Sequence, residues 1–245
     1  MRCALLAVLF ASYFGSLWAA SLHFPHGYDW RRNVISNLLS PRDNPAWYWL
    51  PSVGVAIAGL CMIPLALWIE TQLADAASLR LARRLRRPAF LLGIGCLILA
   101  AIVVPRHTHP VLGMRHIHEL LARTSAAGLG IGMLCACQSP GPSAPGAAPQ
   151  AKRLRLLRLL WRAATLPPIL GAVGSGLVVA LARLHGNGAP ACFRRTIFWH
   201  LAFWEWAGSV AVFLFFACPV LMLGREDAAM TPAAPASAPH RPLRS

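Results

Sequence analysis

Acidic side chains are scarce in this chain of 245 residues. Eight Asp plus Glu stand against 23 Lys plus Arg, and charged residues make up only 13% of the whole. A soluble domain carries about a quarter charged residues. A chain with half that share, 57% hydrophobic residues and a mean hydropathy of +0.54 falls outside that class and inside that of membrane proteins. The basic excess does not point to nucleic acid, because the arginines lie in loops between apolar runs, where membrane topology accounts for them.

Strong chemical motifs are missing as well. No His-Glu-x-x-His or comparable metal spacing occurs, and Cys135-Ala-Cys137 is one residue short of the redox Cys-x-x-Cys spacing. The seven cysteines are an odd number. Cys3, Cys61, Cys96, Cys135, Cys137 and Cys218 sit in or beside apolar runs and only Cys192 in a loop, which excludes a disulfide framework.

What the chain does have is a series of apolar runs near the roughly 20 residues that a spanning helix needs. They lie near 3–22, 47–69, 88–104, 119–137, 163–184 and 196–223. The fold expected is an all-α, polytopic membrane helical bundle of six transmembrane helices occupying residues 1–226. Ala19-Ala20-Ser21 resembles a signal-peptidase site, but the apolar stretch before it exceeds a signal peptide's core, so the first run is read as a span. Pro64 should kink the second span and Pro167-Pro168 fit the first turn of the fifth. Residues 138–150 contain little but Pro, Gly, Ala and Ser, a flexible linker, and 227–245 form a disordered Ala/Pro-rich tail.

Between the linker and the fifth span, residues 151–162 read Ala-Lys-Arg-Leu-Arg-Leu-Leu-Arg-Leu-Leu-Trp-Arg. Leucines and bases separate at helical spacing, which predicts an amphipathic cytoplasmic helix holding anionic lipid through Lys152, Arg153, Arg155 and Arg158. In the first loop, Trp30 to Leu39 has the same periodicity. It predicts a helix in the interface capped by Asp29, with Arg31, Arg32 and Arg42 available to a lipid phosphate. Counted over six spans, fourteen Lys and Arg fall on one side and nine on the other. That bias places both termini in the cytoplasm of a multi-pass protein of the cell inner membrane.

The ionisable residues then gather on the outer face. The stretch from His107 to Arg123 carries four histidines, Glu119 and two arginines between two apolar runs. His116 and His118 are two apart and do not share a helical face, whereas His116 reaches Glu119, and Glu119 reaches Arg123, at three- and four-residue spacing. Glu205 lies about two turns inside the sixth span by the helical rise, where an unpaired carboxylate is costly. His200 is off its face, so its partner is expected on another helix: His116, His118 or Arg123. Gly128 and Gly132, with Ser125 above them, would let the fourth span approach closely enough to supply one. His118, His200 and Glu205 are therefore expected to line one outer polar cavity.

Tyr28-Asp29, Ile35-Ser36-Asn37-Leu38, the Asn44 to Trp47 entry to the second span, Pro105 and His118 together give the chain a resemblance to the six-helix prokaryotic membrane family catalogued as domain of unknown function 998, itself distantly similar to Frag/DRAM/Sfk-type membrane proteins. The chain departs from the family pattern at Arg106-His107 and Asn37, positions where an acid is common. The resemblance implies a fold and a location and leaves the activity open.

Three functions follow. The first is binding or sensing of membrane lipid at the outer polar cavity. A metal-dependent lipid hydrolase is the second, with Asp29, Ser36, His118, His200 and Glu205 as catalytic candidates and a zinc ion held by His116, His118 and His200 from different helices. The last is a proton-coupled transporter using Glu205 and the histidines as a relay.

Overall fold

The computed structural model describes residues 1–73, 80–105, 116–138, 148–184 and 196–223. Among these residues every regular element is helical. Six helices are long and apolar enough to cross a membrane, as the apolar runs foretold: Arg2–Leu22, Trp49–Gln72, Arg80–Val103, Ile117–Cys137, Arg155–Ala182 and Leu201–Leu223. The chain is a multi-pass integral membrane protein built as a helical bundle. His107, His109, most of the linker, Cys192 and the 227–245 tail lie outside the described residues.

Consecutive spans alternate in direction, which creates two faces. At one, here the arginine face, Arg2 lies over the Trp68 ring at 4.6 Å, and Glu70 takes Arg86 in a two-pronged ion pair, Nε to Oε1 at 2.6 Å and Nη2 to Oε2 at 2.8 Å. Arg162 Nη2 donates to the carbonyl of Cys137 at 3.2 Å, tying the fifth span to the fourth. The opposite face carries the first loop.

Glycines set the closest helix contact. A Cβ on Gly128 would fall on the backbone of Gly93, and one on Gly132 on the ring of Phe90, so the third and fourth spans touch backbone to backbone. The small residues at 125, 128 and 132 thus bring the fourth span to the third, not to the sixth. Aromatic rings pack between the first and sixth spans, with Phe10 edge-on and Tyr13 and Phe14 tilted against the buried Phe213. Tyr13 lies in a single π-turn, Ala11–Gly15, that interrupts the first span.

Two expectations change. The first-loop helix is not Trp30 to Leu39 but the single turn Ile35–Leu38, and it does not lie in the interface: Leu38 is fully buried in the core and Leu39 nearly so. The amphipathic stretch at 151–162 is not a separate surface helix. It is continuous with the fifth span in one 37-residue helix, Ala148–Leu184, with Pro167 and Pro168 in its interior. The physical reason is Trp161, which stacks on Phe215 at 4.5 Å and is buried with Leu157, so this turn belongs to the core. Beyond it the fifth span is peripheral, with only 6% of its apolar window buried.

Candidate functional site

A one-turn helix leaves its first N–H groups without partners. No side chain of the first loop caps Ile35–Leu38. The cap comes from 170 residues away: Glu205 Oε2, on the sixth span, accepts the Ile35 N–H at 2.7 Å, and the Ser36 N–H reaches the same carboxylate. The first loop therefore folds down into the bundle as a plug. Irregular backbone is tolerated at membrane depth only when buried in protein with its polar groups satisfied, and the neighbouring bonds meet part of that demand, the buried Asn44 Oδ1 being left without a partner among the described residues. Tyr28 Oη donates to the Asn33 carbonyl at 2.8 Å, and Asn44, buried, donates through Nδ2 to the Leu38 carbonyl at 3.3 Å. Burial pushes the Tyr28 phenol above its ordinary pKa, keeping it a donor.

One turn below, Ser209 Oγ donates to the Glu205 carbonyl at 2.8 Å and lies 2.7 Å from Tyr13 Oη. With the serine proton directed to the carbonyl, Tyr13 donates to Ser209. A hydrogen-bonded line thus joins the π-turn of the first span to the sixth span and, through Glu205, to the plug.

Beside the plug, the fifth and sixth spans part to form an open apolar cleft of about 460 Å³. Its walls are Ala163, Ala164, Pro167 and Pro168 on the fifth span and residues from Phe203 to Leu214 on the sixth. The small alanines leave the space, and the proline pair borders it. Trp30, from the first loop, forms one end. Trp206 lines the cleft too and packs edge-on against Tyr28 at 6.4 Å, so plug and cleft share a wall. Next to Trp30 stand Arg31, whose guanidinium is 5.4 Å over the indole, and Arg32, both exposed. Asp29 Oδ1 accepts the Arg31 N–H at 3.0 Å, and its Oδ2 lies 3.7 Å from Arg32 Nε, which fixes the turn that presents them.

The histidines go elsewhere. His118 is buried, but its Nδ1 meets the Ala100 carbonyl at 2.8 Å and clamps the fourth span to the third. His116, exposed and in the left-handed region at φ 53°, pairs with Glu119 at 3.0 Å, and Glu119 reaches Arg123 at 3.6 Å. His200 is half-buried just ahead of the sixth span, where its backbone closes a turn with Ile197. Among the described residues no three His, Cys, Asp or Glu side chains converge, and Glu205 is satisfied by backbone amides instead of by the outer histidines. The single cavity expected of His118, His200 and Glu205 is thus divided into a helix clamp and a plug latch. Of the basic residues, Arg42 and Arg155 are exposed and Arg158 half-buried, while the side chains of Lys152 and Arg153 lie outside the described set.

Tyr13, Ser209, Trp30 and the proline pair were not singled out as site residues by pattern. The available signal was weak: a lone tyrosine and a lone serine inside apolar runs, and a proline pair one helical turn beyond two alanines. No family model, curated protein or solved structure matches this chain, so geometry alone assigns its site.

Proposed function

We propose that the protein binds a membrane lipid, with an acyl chain in the cleft between the fifth and sixth spans and an anionic headgroup against Arg31 and Arg32. The observation that carries this reading is the cleft itself. It lies within the roughly 300–1,000 Å³ of ligand sites, its walls are apolar, and its Trp30 end adjoins two exposed guanidinium groups suited to phosphate. On the topology expected from the arginine bias, this end faces the outer side of an inner membrane.

The test is native mass spectrometry of protein extracted in mild detergent, together with binding of a fluorescent phosphatidylglycerol in nanodiscs. Ala207→Phe, at a half-buried position of the cleft wall, should fill the cleft and reduce lipid retention about tenfold, in keeping with the roughly 1.5–3 kcal/mol of one large apolar group's burial. Arg31→Gln with Arg32→Gln should weaken anionic lipid while leaving zwitterionic lipid unchanged. Unaltered retention in the filled variant would refute the reading.

A further inference from the structure

Proline inside a helix removes the N–H that would bond the carbonyl four residues earlier. The sixth span repairs that loss, whereas the second, where Pro64 takes the helical donor from the Leu60 carbonyl, has no such side-chain donor among the described residues. Pro219 deprives the Phe215 carbonyl of its helical donor, and the Trp161 indole N–H fills the vacancy at 2.9 Å. A buried carbonyl is provided with a side-chain donor from the neighbouring helix.

The fifth span presents the same loss twice without that repair. Pro167 removes the donor for the Ala163 carbonyl and Pro168 the donor for the Ala164 carbonyl. For Ala164 the deficit is complete at helical spacing, because residues three and four beyond it are both proline. The next donor, Ile169, is five residues on and would need a π-turn, whereas Ala148–Leu184 is α-helical throughout. Among the described residues no side chain donates to either carbonyl: Thr165 Oγ1, next in the chain, turns back to the Trp161 carbonyl at 2.7 Å. All four residues, Ala163, Ala164, Pro167 and Pro168, line the apolar cleft. An unsatisfied carbonyl is expensive in a membrane, where water is not there to supply the bond.

We infer that the cleft selects a lipid carrying a hydrogen-bond donor, a hydroxyl or an amide N–H, within its membrane-embedded part, and that the Ala164 carbonyl accepts that bond. The inference rests on the lipid reading above and adds to it the chemical class of the ligand. An ordinary diester lipid carries only acceptors below its headgroup and leaves the carbonyl unmet. A hydroxylated acyl chain or a ceramide-type amide satisfies it and fills the same apolar space.

The experiment measures binding to the full chain in nanodiscs of four probes: phosphatidylglycerol with an unsubstituted chain, the same lipid with a mid-chain hydroxyl, the methyl ether of that hydroxyl, and a ceramide. The hydroxylated lipid should bind about 5- to 15-fold tighter than its methyl ether, the ratio corresponding to an intramembrane hydrogen bond of about 1–1.6 kcal/mol. Whether the chain hydroxyl or the ceramide gains more identifies where the donor sits along the ligand. Pro168→Ala restores the missing N–H and relieves a proline, so the variant should fold at least as well and bind the hydroxyl and its ether alike, whatever the change in the cleft wall does to the affinity for the unsubstituted lipid. Equal binding of hydroxyl and ether by the unaltered protein, or a preference that survives Pro168→Ala, overturns the inference. Failure of the lipid reading looks different: Ala207→Phe then changes the binding of none of the four probes.

Discussion

Two glutamates lie inside this bundle and are satisfied in opposite ways. Glu70, at the arginine face, is met by a full cation, the bidentate Arg86, whose side chain is almost wholly buried. Glu205, near the other face, is met by neutral backbone N–H groups of the plug, and among the described residues no cation stands within ion-pair distance of it. The difference separates two jobs. An ion pair fastens two helices irrespective of what the chain does elsewhere, whereas a carboxylate that caps a helical turn holds a loop in place only while that turn is folded beneath it. Glu70 belongs to the permanent frame; Glu205 holds the folded-in first loop.

The largest expected effect comes from breaking the frame. Arg86→Met leaves Glu70 with an uncompensated buried charge and should destabilise the protein by about 3–5 kcal/mol, read as loss of folded material or a fall in the thermal midpoint in detergent. Combining it with Glu70→Leu should recover most of that loss, since a buried ion pair replaced by apolar side chains is often neutral or better. A double variant as unstable as Arg86→Met alone would show that the arginine acts through something other than the glutamate.

Breaking the cap comes next. Glu205→Ala should destabilise by about 1–3 kcal/mol, the cost of leaving a buried donor unmet, and should make a cysteine placed at Ser36 accessible to water-soluble maleimide. Ile35→Pro tests the same bond from its other end: it deletes the N–H at the first helical position, where proline is well tolerated and where Val34 already has the extended ψ of 154° that a following proline requires. The two substitutions together should have little more effect than either one alone. Simple additivity would mean that Glu205 and Ile35 act independently.

A smaller effect is expected at the arginine face, where Trp161→Phe keeps the stack on Phe215 but frees its carbonyl, for a loss of about 1 kcal/mol in chemical denaturation. Smallest is the pH response of Tyr28. Its phenol titrates above the ordinary value of about 10, so its contribution to stability is fully present below pH 10 and is lost as pH rises past it, while the unfolded chain ionises first. Ultraviolet titration should show a late-ionising tyrosine signal that shrinks by one residue's amplitude in Tyr28→Phe; a signal unchanged by that substitution contradicts the burial.

Much of the frame was legible in the chain. Six runs of apolar residues, few charges and glycines spaced four apart dictate six packed helices, because backbone polar groups in lipid must be satisfied within each segment. The His116, Glu119 and Arg123 series was legible too, since partners three and four residues apart on a helix meet regardless of the rest of the fold. The amphipathic pattern at 151–162 misled for a definite reason. Its leucines and Trp161 have a helical stripe of the right period, but period does not say whether the stripe meets lipid or Phe215.

Sequence by itself determined that this chain crosses a membrane as a helical bundle and that an acid sits within its last span; composition, run length and covalent structure suffice for that, as they do for the missing donor opposite the Ala164 carbonyl. Tertiary structure alone decided what those groups face. That Glu205 caps Ile35 across 170 residues, that His118 clamps Ala100 instead of joining it, and that Pro167 and Pro168 border an open cleft all depend on which helix lies beside which. The interactions that choose between those arrangements, close glycine contacts and stacked aromatic rings, act between surfaces brought together only by the folded bundle.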